Sequence, residues 1–365
     1  MTDFKLERLP IHVDVEYPKA AHIFISRYNG MFDLIDMDNP EVLTTLLFMQ
    51  EAVHSSRIEG TIATISDMLD FNVGDELNET LNLDIQEIEN YQEALDYAMK
   101  EMADHHHDIT VSMIKNIQHM LLDNVRGEEK LRGAFKTTQN YIGNKYDGEI
   151  TYTPVSPILT NDYIENLVDY MNSSDLTGLD PIVKVAIIHA QFELIHPFED
   201  GNGRVGRILI PVLLRKYKVI DTPFFYPSYY LSKHRDDYIS RLEAISKHND
   251  WEGWVIFFIT AITEQSKMSM SMLRELEAIK QETKQKVSEL KTTFSIQIVD
   301  FLFKKIKFDT SYFIRKTGIN DNTARKLLND LVDEGIISIE KTGSGKRATI
   351  YKFNALYEMI KRIES

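Results

Sequence analysis

Residues 195–207, IHPFEDGNGRVGR, place a histidine, two acidic residues, three small loop formers and two arginines within thirteen positions. The preceding run, PIVKVAIIHAQFELI (181–195), is apolar enough for a buried helix, and Pro197 with the glycines must end it. Directly after Gly203, RVGRILIPVLLRKY (204–217) resumes helical spacing. The stretch is therefore a helix-loop-helix turn. Its glycines let the loop backbone turn sharply, and the second helix adds the free N–H groups of its first turn, so the turn is an anion cradle. Arg204 and Arg207 stand three apart on one face of that first turn, where a cation opposes the helix dipole at a cost of about 0.3–1 kcal/mol each. A polyphosphate on the turn reverses that sign. Glu199 and Asp200 would repel the anion unless one of them holds a divalent cation, Mg2+ bridging phosphates being the natural choice. His196 supplies a base that titrates near neutrality and can take a proton from an attacking hydroxyl. The parts point to nucleotide-dependent group transfer.

Outward from this turn the chain reads as mainly α. Apolar residues recur at helical spacing in PEVLTTLLFMQEAVHSSRIEG (40–60), LDIQEIENYQEALDYAMKEM (83–102), SMIKNIQHMLLD (112–123) and NDYIENLVDYMN (161–172). One stretch departs from that pattern. GAFKTTQNYIGNKYDGEITYTPVSP (133–157) has β-branched and aromatic residues on both sides of a Gly/Asn/Asp cluster, which predicts a hairpin. Residues 251–291 predict one or two long helices, polar towards their end, with the MSMSM alternation on a helix face. The expected divisions are an N-terminal helical region over 1–100, a core over 101–262, a connecting helix over 263–292 and a last domain over 293–365.

The chain has 365 residues, 43% hydrophobic and 27% charged, without cysteine. That composition fits a globular chain of two or three domains, excludes disulfides and Cys-ligated metals, and makes a reducing compartment the natural reading. The N-terminal MTDFKLERLP lacks an apolar signal core, and no stretch approaches the roughly 18 apolar residues of a membrane span. The expectation is a cytoplasmic protein with no membrane partner. A net charge of -15 disfavours a surface built for non-specific nucleic-acid binding. The charge is uneven: residues 291–365 hold 14 Lys and Arg against 9 Asp and Glu, a net +5, which leaves -20 for the rest.

The run His196–Arg207 resembles the Fic family, whose signature is His-x-Phe-x-(Asp/Glu)-Gly-Asn-Gly-Arg-x-x-Arg, and every specified position matches. The resemblance implies a Fic helical core with a β-hairpin flap, and transfer of AMP from ATP to a hydroxyl on a target protein, or on the protein itself, with release of diphosphate. It implies that His196 deprotonates the hydroxyl, Asp200 carries Mg2+ and Phe198 anchors the loop. Gly201, Asn202 and Gly203 would hold the α-phosphate and Arg204 and Arg207 the rest, with Val205 and Gly206 in the same nucleotide-binding segment. Doc-type relatives, which transfer phosphate, carry lysine at the position of Gly203, so glycine favours nucleotidyl transfer. FKTTQNYIG and ITYTPVSP resemble the flap that registers a target segment by backbone pairing. On the adenine side, YPSYYLSKHRDDY (226–238) offers Tyr229, Tyr230 and Tyr238, which could equally be core or surface aromatics.

Upstream, SSRIEGT places Glu59 at the end of a helical pattern and before Gly60. A carboxylate there opposes the dipole as Arg207 does at its own helix start, so a Glu59–Arg207 pair would relieve both; the plain alternative is a solvated helix end. The resemblance weighs in here, because Fic proteins with an N-terminal inhibitory helix carry (Ser/Thr)-x-x-x-Glu-(Gly/Asn), matched by Ser55, Glu59 and Gly60. It implies that Glu59 engages Arg207 and blocks productive placement of the γ-phosphate. In some relatives the same glutamate positions water for removal of AMP.

The basic C-terminal segment predicts two short helices, a third capped by Asn320 or Asp321, and a hairpin turning at TGSGK (342–346): a winged helix-turn-helix. Arg325 and Lys326, with Lys346 and Arg347 at the wing, could meet DNA phosphates; the alternative is a protein-docking or dimerising module, and a homodimer is compatible with either. A DNA-binding regulator that uses the Fic core as a nucleotide sensor is the competing function, disfavoured by the intact His196, since sensing needs no base. DHHHD (104–108) fits no standard ligand spacing and is expected to be solvated.

Overall fold

The structure, a computed structural model, describes all residues except 1–4, 17, 35–39, 75–77, 105–107, 126–129, 144–149, 174–178, 222–224, 345–347 and 365. His105, His106 and His107 of the histidine run therefore lie outside the described residues, as do Lys346 and Arg347 of the expected wing.

Along the chain the elements are α1 (Lys19–Leu34), α2 (Pro40–Glu59), α3 (Ile65–Phe71), α4 (Glu79–Asp104), α5 (Val111–Leu121), β1 (Ile142–Gly143), β2 (Ile150–Tyr152), α6 (Pro157–Asn172), α7 (Pro181–Ile195) and α8 (Asn202–Lys216). There follow α9 (Ser228–Lys233), α10 (Arg235–His248), α11 (Trp251–Glu289), α12 (Ser295–Lys304), β3 (Lys307–Asp309), α13 (Thr310–Thr317), α14 (Asp321–Asp333), β4 (Ile337–Lys341), β5 (Ile350–Phe353) and α15 (Asn354–Glu364). The protein is mainly α, as its periodicity predicts. Residues 1–30, 50–61 and 86–268 form one compact unit, and 31–49, 62–85 and 269–365 a second.

The first unit is built around α7. Asp180 caps it by accepting the amide of Ile182 at 2.9 Å, and Pro181 follows at the first helical position. Thirteen of its fifteen residues are buried, as befits a helix that is apolar on every side. It packs on α6 and α8, and the indole of Trp254 donates to the carbonyl of Ala186 at 2.8 Å. Its one buried histidine is fully engaged: Nδ1 of His189 donates to the carbonyl of Gly206 at 3.1 Å, and Nε2 then accepts the hydroxyl of Tyr238 at 2.8 Å. Burial holds that imidazole neutral, its pKa down to about 3. The expected hairpin is present as the antiparallel pair β1–β2, with Ile142 opposite Tyr152 and Gly143 opposite Ile150.

In the second unit α12, α13 and α14 pack with an antiparallel sheet in the order β3-β5-β4, the arrangement that fits a winged helix-turn-helix. Phe301, Phe308 and Phe313 form its aromatic centre, with Phe301 edge-on to both others at 4.8 and 4.9 Å. Of the two candidate caps for α14, Asn320 does the capping, accepting the amide of Thr323 at 3.0 Å. Residues 251–289 form one continuous helix rather than two. Helices α1, α3, α9, α10 and α15 have no individual counterpart in the sequence reading: α3 and α9 are only seven and six residues long, too short for the periodicity to speak. Among the described residues no helix is long and apolar enough to cross a membrane.

Lys307 is a buried charge of this unit, its side chain 2% exposed between the carboxylates of Asp70 and Glu340, the latter at 2.6 Å. Burial opposes its charge, but the two carboxylates outweigh that and hold its pKa above the usual lysine value. Replacing Lys307 by Ala leaves both carboxylates facing each other without their cation. The expected loss is about 3–5 kcal/mol, read as a lower denaturation midpoint of the second unit.

Candidate active site

The loop between α7 and α8 starts where His196 takes a left-handed conformation, φ 49° and ψ 61°, while its amide still bonds to the carbonyl of Phe192 at 3.0 Å. Pro197 then prevents a further helical turn. Positive φ is uncommon outside glycine, and here neighbouring segments hold it. Asn140 donates to the carbonyls of His196 and Phe198 at 3.1 and 3.0 Å. The amide of Lys136 donates to Pro197 at 2.9 Å, and its ammonium to Ile195 at 3.2 Å and to Asn140 at 2.8 Å. Phe198 is buried, its ring 5.4 Å from that of Phe135. Gln118 clasps the far side by donating to the carbonyl of Asp200 at 3.1 Å.

Asn202 closes the loop on itself. Its side-chain oxygen accepts the amide of Phe198 and its NH2 donates to the carbonyl of the same residue, both at 2.9 Å. The expectation that Asn202 holds phosphate is thus restricted to its backbone amide, since the side chain is buried and engaged. Gly201 provides the left-handed turn, φ 83°, that starts α8. Asp200 accepts the amide of Gly201 at 2.6 Å and lies 3.6 Å from Arg204, with a side chain 41% exposed. Val205 is buried in the core, and Gly206 contributes the carbonyl that holds His189 and the space that a Cβ would take from Glu193.

The loop opens on a cavity of about 260 Å³. His196, Gly203 and Arg207 form one wall, Ile58 and Glu59 of α2 another, and Ile142, Gly143 and Tyr152 of the hairpin a third. From α10 come Arg235, Tyr238, Ile239 and Leu242, and from α7 Glu193 and Leu194. The lining combines ionisable groups, Glu59, Glu193, Arg207, Arg235 and Glu243, with apolar ones, Ile58, Ile142, Leu194, Ile239 and Leu242, so the space suits a ligand that has both a charged and an apolar part.

Arg207 is buried, 1% exposed, and held at three points: Nε donates to the hydroxyl of Ser55 at 2.8 Å, and Nη2 to the carbonyl of Ser55 at 3.0 Å and to Glu59 at 2.6 Å. Burial opposes both charges of the pair, yet mutual attraction prevails. The carboxyl of Glu59 is pulled below its usual range and the guanidinium of Arg207 is raised further. A Cβ on Gly203 would stand 2.3 Å from Oε1 of Glu59 and 2.9 Å from Nη1 of Arg207, so only glycine fits beside the intact pair. Arg204, also buried, pairs with Glu87 at 3.3 Å. Nδ1 of His196 faces the carbonyl of Glu193 at 3.3 Å and must donate to it, which leaves Nε2 as the free base. Burial pushes its pKa down to about 4.

Of the three tyrosines, only Tyr238 reaches the cavity, and its hydroxyl is already bonded to His189. Tyr230 stacks on His234 at 4.2 Å and Tyr229 meets His54 edge-on at 4.7 Å, both away from the cavity lining. Four contributors escape the sequence reading. Lys136 and Asn140 sit in a stretch without regular structure and carry no pattern. Glu193 looks like one polar residue on an apolar helix. Glu51 did leave a signal, because Glu51, Ser55 and Glu59 recur every four residues and so share one helix face. Its carboxylate is buried and accepts Tyr91 at 2.8 Å and the hydroxyl and amide of Ser228 at 2.6 and 3.0 Å.

Among the described residues no group of three His, Cys, Asp or Glu side chains could hold a metal by themselves. One half-exposed carboxylate, Asp200, fits an ion that takes its other ligands from phosphates and water, as Mg2+ does with nucleotides.

A base on a clamped helix end, an anion cradle and two buried arginines under a hairpin define a Fic-type domain. The Fic/DOC family is matched over residues 108–214 and the Fic/DOC family N-terminal region over 17–100. These cover more than half of the chain, and it belongs to the Fic/DOC family. It is 33% identical over 111 residues to the protein adenylyltransferase fic-1 of Caenorhabditis briggsae, covering 30% of this chain and 20% of that protein. It is 34% identical over 124 residues to a probable protein adenylyltransferase of Aquifex aeolicus (strain VF5), covering 34% of each. The chain thus matches a fifth to a third of the length of these relatives. A crystal structure of a Fic family protein from Desulfovibrio desulfuricans G20 shares the fold, with a TM-score of 0.61 at 17% identity over 95% of this chain and 98% of that one.

If Asn202 closes the loop as described, Asn202→Ala should cost about 1–3 kcal/mol through the two lost bonds, with faster amide exchange at Phe198. An unchanged exchange rate there would show that the loop holds its shape without the asparagine.

Proposed function

We propose that the protein is an adenylyltransferase that moves AMP from ATP to a Tyr, Ser or Thr hydroxyl of a target protein, or of itself, releases diphosphate, and is restrained by Glu59. The observation that carries this reading is the Glu59 carboxylate 2.6 Å from Arg207 in the same cavity as the free base of His196. Relatives named protein adenylyltransferases support the chemistry, as does glycine at position 203.

In this reading Nε2 of His196 takes the proton of the target hydroxyl as its oxygen attacks the α-phosphorus, and the bond to the diphosphate breaks. The first-turn amides of α8 meet the α-phosphate, and Arg204 and Arg207 meet the charge of the leaving diphosphate. Asp200 would hold Mg2+, which supplies charge neutralisation between the phosphates. The apolar lining residues Ile239 and Leu242 meet the adenine, and Tyr238 acts beside them as a fixed wall. Tyr229 and Tyr230 contribute only indirectly, through α9. The hairpin edge registers the target segment by backbone pairing. We assign catalysis to residues 101–262 and both target recruitment and dimer formation to the winged helix of 293–365, in a cytoplasmic setting suited to a chain without cysteine. Arg325 donates to Asp321 on its own helix at 3.0 Å, which favours a mixed-charge docking face over a DNA-binding one.

Label from ATP should remain on protein when carried on the α-phosphate and not on the γ-phosphate; the opposite result would mean phosphate transfer. Wild-type activity should be low, because a tethered competitor acts at an effective concentration in the millimolar range. Glu59→Gly should raise initial rates of self-modification about tenfold or more, and adding Arg207→Ala should remove the gain. No rise in a folded Glu59→Gly protein would exclude Glu59 as the restraint.

His196→Ala should lower transfer by about 10²–10⁴-fold while ATP binding survives. The base acts only when unprotonated, and its pKa is lowered to about 4. In the Glu59→Gly protein kcat/KM should therefore stay level as pH falls from 7 to 5 and decline only towards pH 4, whereas an ordinary histidine would already fail near 6.5.

A further inference from the structure

Among the described residues lining the catalytic cavity, Glu193 alone has a buried side-chain oxygen, Oε1, with no hydrogen-bond partner. An unsatisfied buried polar atom costs about 1–3 kcal/mol, and such a group in a cleft calls for a ligand. Glu193 lies one turn before His196 on α7, hence on the same face. Oε1 rests against Gly206, 2.2 Å from where a Cβ would stand there, so the glycine makes room for the carboxyl. The cation of Arg207 and the carboxylate of Glu59 line the same cavity. Glu193 thus lines the same cavity as Arg207, the residue proposed to meet the phosphates.

A carboxyl in this position has two states of opposite effect. Carrying a proton, it is a donor, and an O–H turned into the cavity that Arg207 also lines would match a phosphate oxygen. Ionised, it is a third negative charge beside a polyphosphate. Building on the nucleotide reading above, we propose that Glu193 positions ATP: as a carboxylic acid it donates a hydrogen bond to a phosphate oxygen of the nucleotide, and when ionised it repels that phosphate. Burial, reinforced by Glu59 and opposed by Arg207, pushes its pKa up to about 8, so the donor form prevails at neutral pH.

The groups around it are these. His189 of α7 and His196 just after it are neutral, their pKa values held down to about 3 and about 4. From α8 comes Arg207, and from α2 Glu59. From α10 come Tyr238, raised by burial, and Arg235 and Glu243 further along the cavity. The hairpin gives Tyr152, also raised by burial. Lys136, behind His196, is pushed down to about 8 by burial and changes charge in the same range. It is common to every variant compared below, so differences between variants report on residue 193.

The test uses the full chain carrying Glu59→Gly, which frees Arg207, with Glu193, Glu193→Gln or Glu193→Ala. The Kd for ATP is measured by calorimetry from pH 6.5 to 9.5. With Glu193 in place, Kd should rise as pH goes from 7 to 9, as follows when only the protonated form binds; because Glu59 helps to raise the Glu193 pKa in the wild type, its removal here makes the rise set in at lower pH. Glu193→Gln keeps a donor without a titration, so it should bind ATP at pH 7 as the parent does and lack this rise. Glu193→Ala should bind several-fold more weakly at pH 7 and also lack it. Parallel Kd curves for glutamate and glutamine, with ATP binding intact, would overturn the role of Glu193 alone. Absence of ATP binding in the parent at every pH would overturn the nucleotide reading and this proposal with it.

Discussion

Arg207 is a guanidinium buried to 1% exposure, and much of the first unit is arranged to make that tolerable. Taking such an ion out of water costs several kcal/mol unless good partners surround it. Glu59 and the hydroxyl and carbonyl of Ser55 supply them, so the end of α2 must lie against the start of α8. Glu51, one turn earlier, is in turn fixed by Tyr91 of α4 and Ser228 of α9. The result is a continuous polar seam through an apolar interior, with every member engaged, the condition under which such a network specifies one packing.

The members of this seam are not equally fixed. Ser55 is fully buried, whereas the Glu59 side chain is 40% exposed at the cavity. If Glu59 turns away, Arg207 keeps two of its three bonds but has lost the charge that balances it. A phosphate of negative charge then replaces the carboxylate in kind, which is why one site can hold an internal anion or an external one with little change in the fold. This exchange, rather than movement of the whole helix, is the simplest physical basis for the proposed restraint.

The loop was legible because each of its features is local. Glycines, a proline, a histidine at a helix end and arginines at a helix start carry their meaning in sequence spacing. Glu59 was legible for the same reason, as a carboxylate at the wrong end of a helix. What stayed hidden depends on packing. Lys136 and Asn140 clamp the loop from a segment sixty residues away with no periodicity of its own. For Tyr229 and Tyr230 the sequence leaves open a place at the nucleotide or in the core or surface, because aromatic identity alone gives no direction, and the short helix α9 turns them towards His54 and His234. Asn202 was read as a ligand, yet the property that suits it to a tight turn, an amide that can bond its own backbone, is the one it uses. The length of α11 was legible only in part, since a polar final stretch does not by itself tell a continuing helix from a second one.

Gly203 joins these threads. With Glu59 on Arg207, a side chain at 203 would collide with the carboxylate at once, since even a Cβ would stand 2.3 Å from Oε1. A lysine at that position would also bring a cation where Arg207 already holds the available negative charge, competing for Glu59. The same glycine that would leave room for the proposed nucleotide on the turn thus also leaves room for the Glu59–Arg207 pair as it stands. A larger residue would unsettle the restraint and the substrate space together, so in this protein the proposed choice of transferred group and its proposed control rest on one absent side chain.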